Sequence, residues 1–245
     1  MRNGSLLIVA VLIARPSDRP TVAQTIADNS FLIEEAYNQE AGVVQHISTW
    51  QRSLQVSSWN YVFTQEWPIG SEQHQLSYTL LVGYAARTNL DFDGLGLNYR
   101  YQLTPAHSRA AMAPRLSVLM PSHDRVGTQI ALPLSLTLGS QFVSHSNAGV
   151  TLTPRSQTVY TLGASVVWLA RPTFNVLYEM TWVSGPGRGV TLMNPGIRWA
   201  YNFASGLQIV PGVAYTFGVG PEREGEGVFV YLSFEHRFRP EHRRE

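Results

Sequence analysis

Two sets of residues in this 245-residue chain are of types that do chemistry. The first is the run VSHSNAG, in which Ser144, His145, Ser146 and Asn147 are contiguous. A serine beside a histidine suggests nucleophilic chemistry, with the imidazole taking the hydroxyl proton. The second set is dispersed: Glu66, Arg100, Arg115, Glu179, Arg198, Glu235 and Arg237, isolated charges among Gly, Ser, Thr, Asn and Gln. Charges of both signs in such company either orient a polar or anionic solute or pair with one another as filling. The choice depends on the element that carries them.

That element is a β-strand with one apolar face. In QIALPLSLTLG, Ile130, Leu132, Leu134, Leu136 and Leu138 alternate with small or polar residues, a period of two. The pattern recurs in HQLSYTLLVGY, GLGLNYRYQL, PTFNVLYEMTWV, GLQIVPGVAYTFG and GVFVYLSFEHRF. These segments run about 10 to 13 residues, longer than a soluble strand of about 5 or 6 and near the 9 to 11 that a tilted strand needs to cross a bilayer. The second face is too poor in charge for bulk water. Charged residues are 14% of the chain, against about a quarter in a typical soluble domain. The mean hydropathy of −0.08 speaks against a helical membrane protein.

An apolar face in lipid leaves no open sheet edge, because backbone groups there must all pair. The sequence therefore predicts an all-β chain: a closed antiparallel transmembrane β-barrel of about 12 strands preceded by a short N-terminal helix. Strand starts fall near Val43, Ser57, His74, Asp91, Ala110, Thr128, Phe142, Gln157, Thr173, Val190, Gly206 and Gly227. Ten and fourteen strands also fit this spacing. Trp59, Trp67, Trp168, Trp182 and Trp199 lie near segment ends, as interfacial aromatic girdles do.

Around the barrel at 43–238 the chain divides further. Residues 1–23 read as a signal peptide: Arg2, the apolar run Leu6 to Ala14, then the small residues of Thr21 to Ala23. Residues 24–42 form a helical or plug segment. Asp28, Asn29 and Ser30 are capping residues, Glu34 and Glu35 suit an N-terminal half, and Gly42 is a terminator. Such a helix either lies at the barrel mouth or enters the lumen, where Glu34, Glu35 and Glu40 need arginine partners. Residues 239–245 are a polar tail beyond Phe238.

DNSFLIEEAYNQEAGVVQHIS, FTQEWP, HQLSYTL, LNYRYQL, PRLSVLMPS and NPGIRWAYNF together resemble the outer-membrane transporter-like β-barrel family grouped with the meta-pathway phenol-degradation proteins. The resemblance spans about residues 28 to 238, with EEAYNQE its most specific part. It implies a porin-like barrel in a Gram-negative outer membrane, in some members associated with uptake of aromatic compounds. It carries no catalytic motif.

Strand parity then sorts the two chemical sets. Glu66, Arg100, Arg115, Glu179, Arg198, Glu235 and Arg237 fall on the lumen face, as a solute eyelet or as a salt-bridged filling. His145 is adjacent to both serines in sequence, so within a strand it points away from them, and no catalytic residue is expected. Seven scattered His and no Cys suggest neither metal nor cofactor. A net charge of +1 implies no nucleic-acid partner. The partners expected are outer-membrane lipid, a small solute and the barrel-assembly machinery. The expected function is a porin-like channel; the alternatives are a lipid-modifying enzyme and a filled structural barrel.

Overall fold

The structure, a computed structural model, describes residues 26–85, 90–105, 108–185, 189–203, 207–220 and 225–237. The expected signal peptide, the tail and Phe238 lie outside the described residues. The strands are Val43–Ser53, Ser58–Ile69, Ser71–Ala85, Asp91–Tyr101, Ala110–Met112 continued by Arg115–Pro121, Gly127–Thr137, Phe142–Leu152, Val159–Arg171, Phe174–Val183, Val190–Trp199 continued by Tyr201–Asn202, Gln208–Val219 and Gly227–Arg237. With the two interrupted strands counted once each, they make twelve. Each is antiparallel to its sequence neighbours. The first pairs with the last, from Val43 opposite Arg237 to Ser53 opposite Gly227, and the sheet closes into a barrel.

Prolines explain the interruptions. Pro114 cannot donate to the ladder, and its neighbour Ala113 lies opposite Pro133, which also lacks an N–H; Ala113 donates to the Pro133 carbonyl at 3.2 Å and register is kept. Register likewise continues from Arg198 opposite Gly212 to Tyr201 opposite Ile209, with Pro211 falling in the gap. A further lapse in the same ladder, between Met193 and Gly196, contains Pro195.

The alternation resolves as predicted. Ile130, Leu136 and Leu138 are exposed on the outer surface, while Ala131, Pro133 and Ser135 between them are buried. Leu97, Tyr178, Met180, Tyr215, Val230 and Leu232 are exposed likewise. An eleven-residue strand such as Phe142–Leu152 spans about 36 Å at roughly 3.3 Å per residue, which a tilt near 45° reduces to about the 25 Å of a hydrocarbon-facing band. Aromatic pairs mark both rims: Trp59 stacks on Tyr84 at one, Phe142 on Trp168 at the other.

The expected N-terminal helix is absent: no described residue is helical. Residues 26–42 form a bent, extended loop whose backbone groups bond to the barrel wall instead of to each other.

One outcome follows for the wall. Leu134→Arg, mid-strand on the outer face, is expected to weaken membrane folding by about 2–4 kcal/mol, whereas Thr181→Arg on the lumen face is milder. Urea titration of refolding into vesicles reads the difference; equal penalties at the two positions would contradict the assignment of faces.

Candidate functional site

The loop of residues 26–42 enters from the barrel end that carries Val43 and Arg237, reaches about half the depth of the lumen, and returns. Its descending limb starts with the Ile26 N–H on the Pro172 carbonyl at 2.8 Å. Asn175 then donates to the Ala27 carbonyl at 3.0 Å, His145 bonds the Asp28 carbonyl at 2.9 Å, and Arg198 holds the Asn29 carbonyl. At the turn, Glu179 Oε1 accepts the N–H groups of Phe31 and Leu32 at 2.8 Å each and of Ile33 at 3.3 Å. Three successive N–H groups converging on one oxygen form an anion nest, here filled by the wall's own carboxylate. The Asn147 amide, its nitrogen toward the Glu34 carbonyl, makes a two-point bond to the Glu34 backbone at 2.9 and 2.8 Å.

The returning limb is held in the same way. Ser135 accepts from the Ala36 N–H at 2.9 Å, Gln102 donates to the Ala36 carbonyl and accepts from the Asn38 N–H, both at 2.8 Å, and Gln75 accepts from the Gln39 N–H at 2.7 Å. A backbone buried without partners would cost about 1–3 kcal/mol for each orphaned group. The wall supplies those partners, so the loop needs no helix.

Packing adds a shape code. Phe31 lies against Phe229 and Tyr231, with centroids 5.4 and 5.2 Å away, contacts worth about 0.5–1.5 kcal/mol each beyond burial. On its other side are Gly196 and Gly212, where a Cβ would fall 2.5 and 2.6 Å from the Phe31 ring. A Cβ on Gly163 would collide with Ile33. These lumen-facing glycines are sockets for Phe31 and Ile33 of the loop.

The lumen charges now have definite partners. Glu34 sits between two guanidiniums: Arg100 Nη1 reaches Oε1 at 3.0 Å and Arg115 Nε reaches Oε2 at 2.8 Å. Arg100 is almost wholly buried and also holds the Asn38 side chain and the carbonyls of Glu35 and Tyr37; Glu66 lies 3.9 Å from it. Glu66 accepts from Gln75 at 2.9 Å, and Glu235 from Gln45 at 2.8 Å. Arg198 lies over the Tyr231 ring at 5.1 Å. Glu35 accepts from Asn29 at 3.1 Å. Six of the seven charges expected in the lumen are thus placed there, bonded mainly to the loop and to wall amides; the Arg237 side chain lies outside the described residues.

Of the two roles considered for these charges, pairing within the wall is seen, among the described residues, only between Arg100 and Glu66. Among the described residues, Glu179 accepts hydrogen bonds from backbone N–H groups and Asn194 and makes no ion pair with arginine, and Arg115 pairs with the loop residue Glu34.

His145 points into the barrel, and Ser144 and Ser146 do not, as parity required. The histidine instead meets Ser135 of the neighbouring strand, Oγ to Nδ1 2.7 Å, with both side chains fully buried. Because its Nε2 faces a carbonyl, which only accepts, Nε2 carries the hydrogen and Nδ1 accepts from Ser135. This Ser–His pair holds the loop at Asp28 and Ala36. The sequence reading missed Ser135, although Ser135 and His145 sit opposite each other across one hairpin. It also missed Gly163, Gly196 and Gly212, whose signal was glycine at lumen parity in strand interiors. Among the described residues no group of three His, Asp or Glu is placed to hold a metal ion.

In fold, the chain is similar to the KdgM porin, also solved in complex with disordered oligogalacturonate: 11% identity, 80% of this chain and 99% of that one, TM-score 0.55. It is similar to the NanC porin at 9% identity, over 80% of this chain and 100% of that one, TM-score 0.54. No family model matches the chain, and no curated protein matches it in sequence at a significant level. The chain therefore has the closed-barrel fold of outer-membrane porins. Its own loop, lodged inside that barrel, is what the site adds to the fold.

The socket assignment makes a paired prediction. Gly163→Ala should leave the barrel's thermal gel-mobility transition nearly unchanged while exposing the loop to protease, and Ile33→Ala in the same chain should restore protection. If Gly163→Ala alone leaves protection intact, the socket has no role in seating the loop.

Proposed function

We propose that the chain is a porin-like channel of the Gram-negative outer membrane, closed at rest by residues 26–42 of its own chain. The observation that carries this reading is the nature of the contact between loop and wall. Beside the apolar contacts of Ile26, Phe31, Ile33 and Ala36, the loop is held by reversible polar bonds to side chains that would otherwise line an aqueous path: Gln75, Arg100, Gln102, Arg115, Asn147 and Glu179. A solute or a change of state that replaces those bonds opens the lumen without altering the barrel. The half beyond the loop carries hydroxyl and amide pairs, Thr64 bonded to Thr79 and Gln129 to Thr151, beside aliphatic residues such as Val62 and Leu119. Such a lining suits passage of small hydrated solutes.

The fold shared with the KdgM and NanC porins supports the outer-membrane setting, and the exposed apolar band makes lipid the immediate partner. Assembly then passes through the barrel-assembly machinery. The sequence resemblance to the meta-pathway phenol-degradation group points to aromatic solutes; the polar lumen favours solutes with hydrogen-bonding groups. A second reading, a permanently filled structural barrel, is favoured by the close fit of Phe31 and Ile33 to their glycine sockets.

Planar-bilayer recording separates the two. A chain lacking residues 26–40 is expected to show stable single-channel conductance where the intact chain is closed for most of the record. Equal, negligible conductance of two correctly folded proteins would establish the filled barrel.

A further inference from the structure

Glu34 occupies its place as a ligand would. Each of its carboxylate oxygens is held by a different guanidinium, Oε1 by Arg100 and Oε2 by Arg115. Besides its bond to Glu34, Arg115 is aimed by three bonds to the wall: it donates to Asn98 at 3.0 Å, to Gln129 at 2.9 Å and to the Ser117 hydroxyl. Those three bonds do not depend on the loop, so the guanidinium stays oriented when the loop withdraws. Arg100 would keep Glu66 as its nearest carboxylate, at 3.9 Å. Withdrawal of Glu34 thus leaves two arginines facing one carboxylate, with a positive charge uncompensated in a narrow lumen.

We infer that the Arg100–Arg115 pair is a binding site for a small hydroxylated monocarboxylate, such as a sugar acid, and that Glu34 is the internal carboxylate that holds it until such a solute arrives. This rests on the reading of the loop as a displaceable closure. The carboxylate is selected by the two guanidiniums, one per oxygen. The hydroxylated body is selected by what surrounds them. Gln102 and Asn147 now bond the loop backbone at Ala36, Asn38 and Glu34, and they lose those partners as the loop leaves. Hydroxyl groups can replace such bonds, whereas an aromatic hydrocarbon leaves them unmade, which is how a polar site rejects an apolar ligand.

The test uses the refolded full-length chain, with glucuronate, glucose and benzoate as probes in equilibrium calorimetry. Glu34→Gln removes the internal competitor and should bind glucuronate about tenfold or more tightly than the unmodified chain, because affinity is no longer scaled down by the small fraction of chains whose loop has withdrawn. Glucose, of the same shape without the charge, should not bind detectably, and benzoate should bind at least several-fold more weakly than glucuronate. Adding Arg115→Gln to Glu34→Gln should lower glucuronate affinity about tenfold or more. Because the native chain has no cysteine, a single Ser30→Cys reports loop release by maleimide labelling. Glucuronate should accelerate that labelling saturably, and glucose should not.

Failure to bind glucuronate in Glu34→Gln overturns the site, whatever the labelling shows. If the chain lacking residues 26–40 still conducts in that case, the channel reading stands and only the carboxylate site falls. Glucuronate binding without any conductance would retain the site and remove the channel. Equal affinities for benzoate and glucuronate would overturn the hydroxylated class.

Discussion

The structure depends on one constraint: most of the backbone of residues 26–39 is enclosed in a barrel, and its polar groups need partners there. A helix would have met that need internally. The barrel meets it from outside instead, with the carboxylate of Glu179 beneath Phe31, Leu32 and Ile33, Asn147 on Glu34, and Gln102 and Ser135 on Ala36. The lumen face of the wall is thereby determined by the loop as much as by any solute. Amides stand where carbonyls and N–H groups arrive, glycines where Phe31 and Ile33 protrude, and two arginines where Glu34 arrives.

The same constraint explains how far the sequence could be read. Alternation depends on neighbours two residues apart, so the strands, their outer faces and the inward direction of Glu66, Arg100, Arg115, Glu179, Arg198 and Glu235 were all available from the chain itself. Strand starts at Val43, Asp91, Ala110, Phe142, Val190 and Gly227 coincide with those observed, and the others differ by three residues or fewer. The capping pattern at Asp28–Ser30 failed because local propensity takes no account of partners far along the chain: Glu179 is 147 residues from Leu32 and Arg100 is 66 from Glu34. Ser135 and His145 escaped notice for a related reason. Nucleophile and base were sought along one strand, whereas the pair forms across two.

Charge links closure to function. Had the wall charges paired mainly with one another, the lumen would be a self-sufficient filling and the loop an ornament. Arg100 and Arg115 instead find a shared carboxylate on the loop, and Glu179 finds N–H groups there. Removing the loop unsettles both signs of charge, so an open lumen is a polarised one that favours hydrated and charged solutes over apolar ones. The barrel outside these residues, with its lipid-facing Leu, Val and aromatic side chains, is indifferent to whether the loop is in place.

The central claim, that the loop closes the path and must move for it to open, is tested most directly by tethering it. Ser30 and Ser165 touch, Oγ to Oγ 2.6 Å, and the native chain contains no cysteine. A Ser30→Cys, Ser165→Cys double variant therefore allows the loop to be locked by oxidation and released by reduction in one protein. In planar bilayers the oxidised form is predicted to be silent, and a reductant should bring back the intermittent openings of the untethered chain. Openings of the same size and frequency in both states would contradict the account, since solutes would then pass with the loop fixed in its seat.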